Sequence, residues 1–183
     1  MAKKLPSKSL LLTLCLLLAP VFSGHATEES KTETEKSPSP ATVLIFMITD
    51  CPIANRYVPE INRIFETYTS KNIKFTLVYT NKSLTTEDIS THRKEYALKP
   101  KGVLDPRHEL VKKAGATLTP EAVVFNAAGE IVYRGRIDDR FTAYGDQRRQ
   151  ASEQNLRLAL DAVLAGNEVK VKRAEAIGCL IEE

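Results

Sequence analysis

The chain has 183 residues, 43% of them hydrophobic and 27% charged, and a formal net charge of +3 at pH 7. That length suits one globular domain with appendages and is enough to bury a core. Lys3, Lys4 and Lys8 lie in an N-terminal segment without an acid, so the remainder is neutral, and no basic stripe is present to track a nucleic-acid backbone.

The three lysines precede an apolar run over 10–22, broken only by Thr13, Cys15 and Pro20, with small residues at Gly24 and Ala26. This pattern predicts a secretory signal peptide over 1–26 and an exported protein, periplasmic or extracellular. The run is short for a membrane span, so no permanent span is expected. Leu14 before Cys15 is not small, which argues against lipidation there. Export leaves two cysteines, Cys51 and Cys179, in an oxidising compartment. They read as a structural disulfide, a redox couple or two unrelated thiols. Residues 27–40 are charged, Ser/Thr-rich and end in SPSP, the composition of a flexible linker.

Residues 42–48 are β-branched and aliphatic, and predict a buried strand. Cys51 and Pro52 follow at a helix start, where proline's missing N–H is no loss. Ala54, Tyr57, Val58, Ile61, Ile64, Phe65 and Tyr68 recur at helical spacing, with Pro59 expected to kink the helix. Residues 72–80 predict a second strand, and a Thr85 to Asp88 cap opens a helix over 86–98 with His92 on its surface. Strand, helix, strand and helix in succession imply parallel pairing with crossovers. A short strand at 103–104 and a brief helix over 108–115, stopped by Gly115, come next, with His108 in that helix's first turn. Residues 121–125 and 130–134 predict an antiparallel hairpin around a turn at 126–129. The alternating charges Arg134, Arg136, Asp138, Asp139 and Arg140 read as a solvated strand end. A last amphipathic helix over 152–164 is closed by Gly166. The folded domain is thus expected over 41–166, with 167–183 a C-terminal extension carrying Cys179.

A cysteine at the first strand-to-helix junction, Pro59 inside that helix, and Thr119-Pro120 before the VVFNAAGE hairpin occur in one order. In this the chain resembles the thioredoxin fold, an α/β class with a central mixed sheet and flanking helices. Within that fold it is most similar to the redoxin branch of peroxiredoxin-related, thiol-specific antioxidant proteins. The resemblance implies that Pro120 is cis and packs against Cys51, and that Pro52, Thr119 and Pro120 shape a groove for an extended partner chain. Two departures qualify it. Thioredoxins carry C-x-x-C, and here Ala54 stands at the second cysteine. Peroxiredoxins carry P-x-x-x-T/S-x-x-C, and here Leu44 and Ile48 take the proline and hydroxyl positions.

The chemistry expected of Cys51 is nucleophilic: a partly exposed sulfur at a helix N-terminus, against free backbone N–H groups, with Asp50 opposing. A sulfur sealed in the interior would remove that reading. Cys179 is the candidate resolving thiol, beside the readings of a permanent staple and an unrelated tail thiol. The expected activity is thiol–disulfide exchange or peroxide reduction, with protein thiols, disulfides or peroxide as substrates, an external thiol reductant and no organic cofactor. Two other classes stay open: a copper-binding assembly factor using Cys51, Cys179 and His108, and a non-catalytic binding module. The copper-chaperone branch has a second cysteine four residues after the first, where this chain has Asn55.

Overall fold

A computed structural model describes residues 39–182; the expected signal peptide and the linker up to residue 38 lie outside the described residues. Strand β1 (Ala41–Met47) runs through the middle of a mixed sheet. It lies parallel to β2 (Lys74–Tyr79), which lies parallel to β3 (Lys101–Leu104). On its other side β1 pairs antiparallel with β5 (Glu121–Asn126), which forms a hairpin with β6 (Ile131–Gly135). A short β9 (Arg173–Ala174) closes the order β3-β2-β1-β5-β6-β9, while β7 (Phe141–Ala143) and β8 (Asp146–Gln147) form a separate hairpin.

Both faces of β1 are covered, which is why its sequence is continuously apolar instead of alternating. Val43, Ile45 and Met47 meet α1 (Pro52–Thr69), α2 (Thr86–Glu95) and α4 (Asn155–Leu164) in the larger core. Leu44 and Phe46 face Val111 and Ala114 of α3 (Glu109–Ala114) in the smaller one. Pro59 lies inside α1, and the helix continues through it for ten further residues to Thr69. The Thr85/Asp88 capping box starts α2, but the helix stops at Glu95, short of the expected 98, because Ala97 takes a positive φ of 53°. Gly115, at φ 65°, ends α3 as a left-handed cap.

The charged run after β6 differs from expectation: Asp138 and Asp139 are buried. Asp139 accepts the Ser152 and Glu153 backbone N–H groups at 2.6 and 2.8 Å, and Asp138 accepts the Tyr57 hydroxyl at 2.7 Å. The chain reverses direction here, and the carboxylates satisfy backbone and hydroxyl donors that the reversal removes from water.

Beyond α4 the chain returns to the sheet. Arg134 N–H donates to Lys172 O at 2.9 Å and Arg136 N–H to Ala174 O at 3.2 Å, seating β9 on β6. Gly135 takes a φ of 147°, and a Cβ there would collide with the Ala174 carbonyl oxygen. Beyond β9, β10 (Cys179–Leu180) pairs antiparallel with β4 (Leu118–Thr119), just before β5. No helix among the described residues is long and apolar enough to cross a membrane. Gly135→Ala is expected to destabilise the protein by roughly 1–3 kcal/mol, the usual penalty for overpacking, seen as a lower urea midpoint.

Candidate active site

Cys51 is the N-cap of α1, with extended backbone (φ −74°, ψ 111°), and its Sγ accepts the Ala54 N–H at 3.4 Å. Pro52, next in the helix, keeps the entry angle fixed without wasting a donor. The first helical hydrogen bond, Asn55 N–H to Cys51 O, is 3.0 Å long.

Opposite Cys51 stands the turn between β4 and β5. The Thr119–Pro120 bond is cis, and the Thr119 carbonyl oxygen lies 3.1 Å from Cys51 Sγ. The topology brings these loops together: Phe46 pairs with Glu121, so the end of β1 meets the start of β5. Glu121 fixes the loop. Its carboxylate is buried and accepts the N–H groups of Thr117 and Leu118 at 2.8 and 3.3 Å. Arg134, 3.7 Å from that carboxylate, also donates to the Gly115 carbonyl, tying the same loop from its other end.

Cys179 completes the site. In β10 it pairs with Thr119, and its Sγ lies 2.8 Å from Cys51 Sγ, with both thiols free. A disulfide closes at about 2.05 Å, so less than ~1 Å of sulfur movement separates contact from bond. Burial pushes the Cys179 thiol up to about 12, helped by its hydrogen bond to Cys51 and by the negative charges of Cys51 and Asp50. Cys179 therefore holds its proton at neutral pH.

Cys51 is not partly exposed as expected: its relative exposure is 0%. Its sulfur is covered by Thr119 on one side and by Cys179 on another, and the second cover belongs to a two-residue strand near the chain's end. Cys51 also belongs to the larger core, so the two-residue strand carrying Cys179 is one part of its cover beside the core residues.

Two histidines differ from their expected settings. His92 is 4% exposed and lies in a chain of hydrogen bonds leading towards Cys51. Asn55 Nδ2 donates to Thr49 O at 2.9 Å, so Asn55 Oδ1 must accept from His92 Nε2, also at 2.9 Å. In the neutral ring His92 Nδ1 is then the acceptor for the Tyr79 hydroxyl at 2.8 Å. Burial lowers the His92 pKa against an opposing pull from Glu95, and burial pushes Tyr79 up to about 12. His108 is the residue before α3, with a positive φ of 54°, and its buried ring engages Thr80 O through Nε2 at 2.7 Å. Among the described residues no three His, Cys, Asp or Glu side chains converge, so no ligand set joins His108 to the cysteines.

The structure thus brings Cys51, Pro52, Thr119 and Cys179 together, with Pro120 following Thr119 in the cis turn. Sequence reading missed Glu121, Arg134, Asn55 and His92. A signal existed for two of them: Glu121 heads an otherwise apolar buried strand, and His92 stands three residues after Ile89, on the one buried face of α2.

The redoxin family model matches residues 17–150, ahead of α4 and Cys179. No curated protein matches the chain. Among solved structures, the chain is similar to an uncharacterized conserved protein from Geobacillus kaustophilus (26% identity, 79% of this chain and 78% of that one, TM-score 0.68). It is also similar to a hypothetical protein from Sinorhizobium meliloti 1021 (25% identity, 79% and 80% covered, TM-score 0.69). A protein described as a candidate thiol:disulfide interchange protein DsbE from Chlorobium tepidum shares the fold (16% identity, 69% and 82% covered, TM-score 0.54).

The lowered His92 pKa has a definite sign. The unfolded chain takes up the proton first as pH falls through the ordinary value of 6.5, so stability is full above that value and declines below it. The urea midpoint should fall between about pH 7.5 and 5.5, and by less in His92→Gln, whose amide can donate and accept but does not titrate there. For Cys179 the sign is opposite: its folded-state contribution is whole below about 9 and lost as pH rises towards about 12. Alkylation of Cys179 in the reduced protein should accordingly rise at higher pH than alkylation of an unfolded control.

Proposed function

This chain belongs to the redoxin family, and from that footing we propose that it is an exported thiol–disulfide oxidoreductase working through Cys51 and resolved by Cys179. The observation that carries the proposal is the 2.8 Å approach of the two sulfurs, beside the Thr119 carbonyl of the cis-proline turn.

The cycle needs only thiol chemistry. Cys51, as thiolate, attacks one sulfur of a partner's disulfide, and the partner's other sulfur leaves and takes a proton. Cys179 then loses its proton and attacks the Cys51 sulfur of the mixed disulfide, releasing the partner's second thiol. The partner has gained two electrons, and the chain holds a Cys51–Cys179 disulfide until an external thiol reduces it. The attacking sulfur caps the helix N-terminus and accepts the Ala54 N–H. The raised Cys179 pKa keeps the second thiol protonated until it is needed.

Protein disulfides suit the site better than peroxide. The positions where peroxiredoxins place a proline and a hydroxyl hold Leu44 and Ile48, and Leu44 is buried in the smaller core. The edge of β4 accepts an extended chain, as β10 demonstrates. Residues 41–166 form the working domain in this reading, and the extension over 167–183, anchored in the sheet through β9, carries the resolving thiol beyond that anchor.

Cys51→Ser should abolish reduction of a disulfide-bonded protein substrate by the thiol-supplied chain. Cys179→Ser should instead accumulate a covalent complex through Cys51, visible on a non-reducing gel and dispersed by dithiothreitol. Turnover undiminished in Cys51→Ser would end the assignment.

A further inference from the structure

The arm that delivers Cys179 sits where a substrate would. Among the described residues strand β4 pairs with no strand but β10, in the register Cys179 with Thr119 and Leu180 with Leu118. The seat is shallow. Ile181 N–H donates to Thr117 O at 3.0 Å and Thr119 Oγ1 to Cys179 O at 3.4 Å, while Leu180 is 76% exposed. Leu180 and Glu182 line two clefts, of about 730 and 330 Å3, and Asp50, next to Cys51, lines the smaller.

The tightest point of the seat is Gly178. Its φ is not positive, so glycine is not needed there for backbone reasons. It is needed for space: a Cβ would collide with the Thr119 carbonyl oxygen and stand 2.7 Å from Thr119 C and 3.2 Å from Pro120 N. These are backbone atoms of a buried turn held by Glu121, and they cannot yield as a flexible side chain would. The same Thr119 carbonyl lies 3.1 Å from Cys51 Sγ. Any chain that brings a cysteine to Cys51 along this edge meets the same wall one residue earlier.

Resting on the disulfide-exchange reading above, we propose that the β4 edge takes an extended, cysteine-bearing segment of a partner protein in which glycine immediately precedes the cysteine. This segment and the chain's own arm occupy the edge in turn. The partner displaces the arm, and Cys51 forms a mixed disulfide with the segment's cysteine while that cysteine's former disulfide partner leaves as a thiol. The arm then returns, Cys179 gives up its proton and bonds to Cys51, and the segment departs as the second thiol. Resolution and product release are one strand exchange, because the two strands cannot share the edge.

The test uses the reduced full chain and peptides copying residues 176–182, with Gly, Ala or Val before the cysteine and that cysteine disulfide-bonded to 5-thio-2-nitrobenzoate. Release of the yellow thiolate reports attack by Cys51, and Cys179→Ser isolates the first step. The glycine peptide should react about tenfold faster than the valine peptide, a difference of ~1.4 kcal/mol. Gly178→Val, which unseats the arm, should react faster with the glycine peptide than the unaltered chain does. Ala and Val peptides reacting within about twofold of glycine would overturn the glycine requirement, and an unchanged rate in Gly178→Val would overturn the shared edge. The symmetrical reagent 5,5′-dithiobis(2-nitrobenzoate) makes no strand contact and serves as control. Its reaction at Cys51 without peptide discrimination sinks this inference alone, whereas no reaction at Cys51 with it or any peptide sinks disulfide exchange as well.

Discussion

The antiparallel pairing of β1 with β5 is the constraint on which the site depends. Six residue pairs, from Ala41 with Asn126 to Phe46 with Glu121, set where each strand ends. With that register, the exit of β1 and the entrance of β5 lie at one end of the sheet, and Cys51 meets the Thr119 carbonyl without either loop reaching across. A slip by one residue would exchange the faces of β1 and send Val43, Ile45 and Met47 away from α1. The burial of both faces thus holds the sulfur and the proline turn in register.

Cys51 lies under cover, and one part of that cover is a two-residue strand. The Thr119 wall is rigid, with Glu121 accepting two loop N–H groups and Arg134 clasping the loop from outside. The Cys179 wall rests on a two-residue strand. Opening free energies within one native protein range from near zero at weakly held termini to the full stability of the core. In the proposed cycle, a sulfur bounded by one rigid and one yielding wall would be protected at rest and reachable by a local motion.

What could be read from sequence was what local chemistry decides. The strand–Cys–Pro–helix junction, the Thr85/Asp88 box, the Gly115 cap and the 126–129 turn each depend on residues a few positions apart, and each is where its pattern placed it. What escaped depends on distant partners. His92 is in a helix of mostly polar sequence and becomes buried because Tyr79 and Asn55 lie beside it. Asp138 and Asp139 look solvated until the chain reversal supplies buried donors for them. The exposure of Cys51 was misjudged for the same reason: its cover comes from 128 residues away, and no pattern around Cys51 announces it.

The seat of β9 determines how well such an arm works. Arg134 and Arg136 N–H groups hold residues 172 and 174 in the main sheet, and Gly135 gives way to the Ala174 carbonyl to permit it. Only the residues after 174 must then swing when β10 lifts. A tether this short keeps Cys179 at an effective concentration of at least about millimolar beside Cys51, and reclosing so small a loop costs little chain entropy. In the proposed cycle an untethered thiol at micromolar levels would compete poorly against that, so a mixed disulfide on Cys51 would be resolved from within the chain before a second molecule intervenes. Anchoring at β9 would therefore permit a weak β10: the arm could yield the edge to a partner without surrendering the advantage of proximity when it returns.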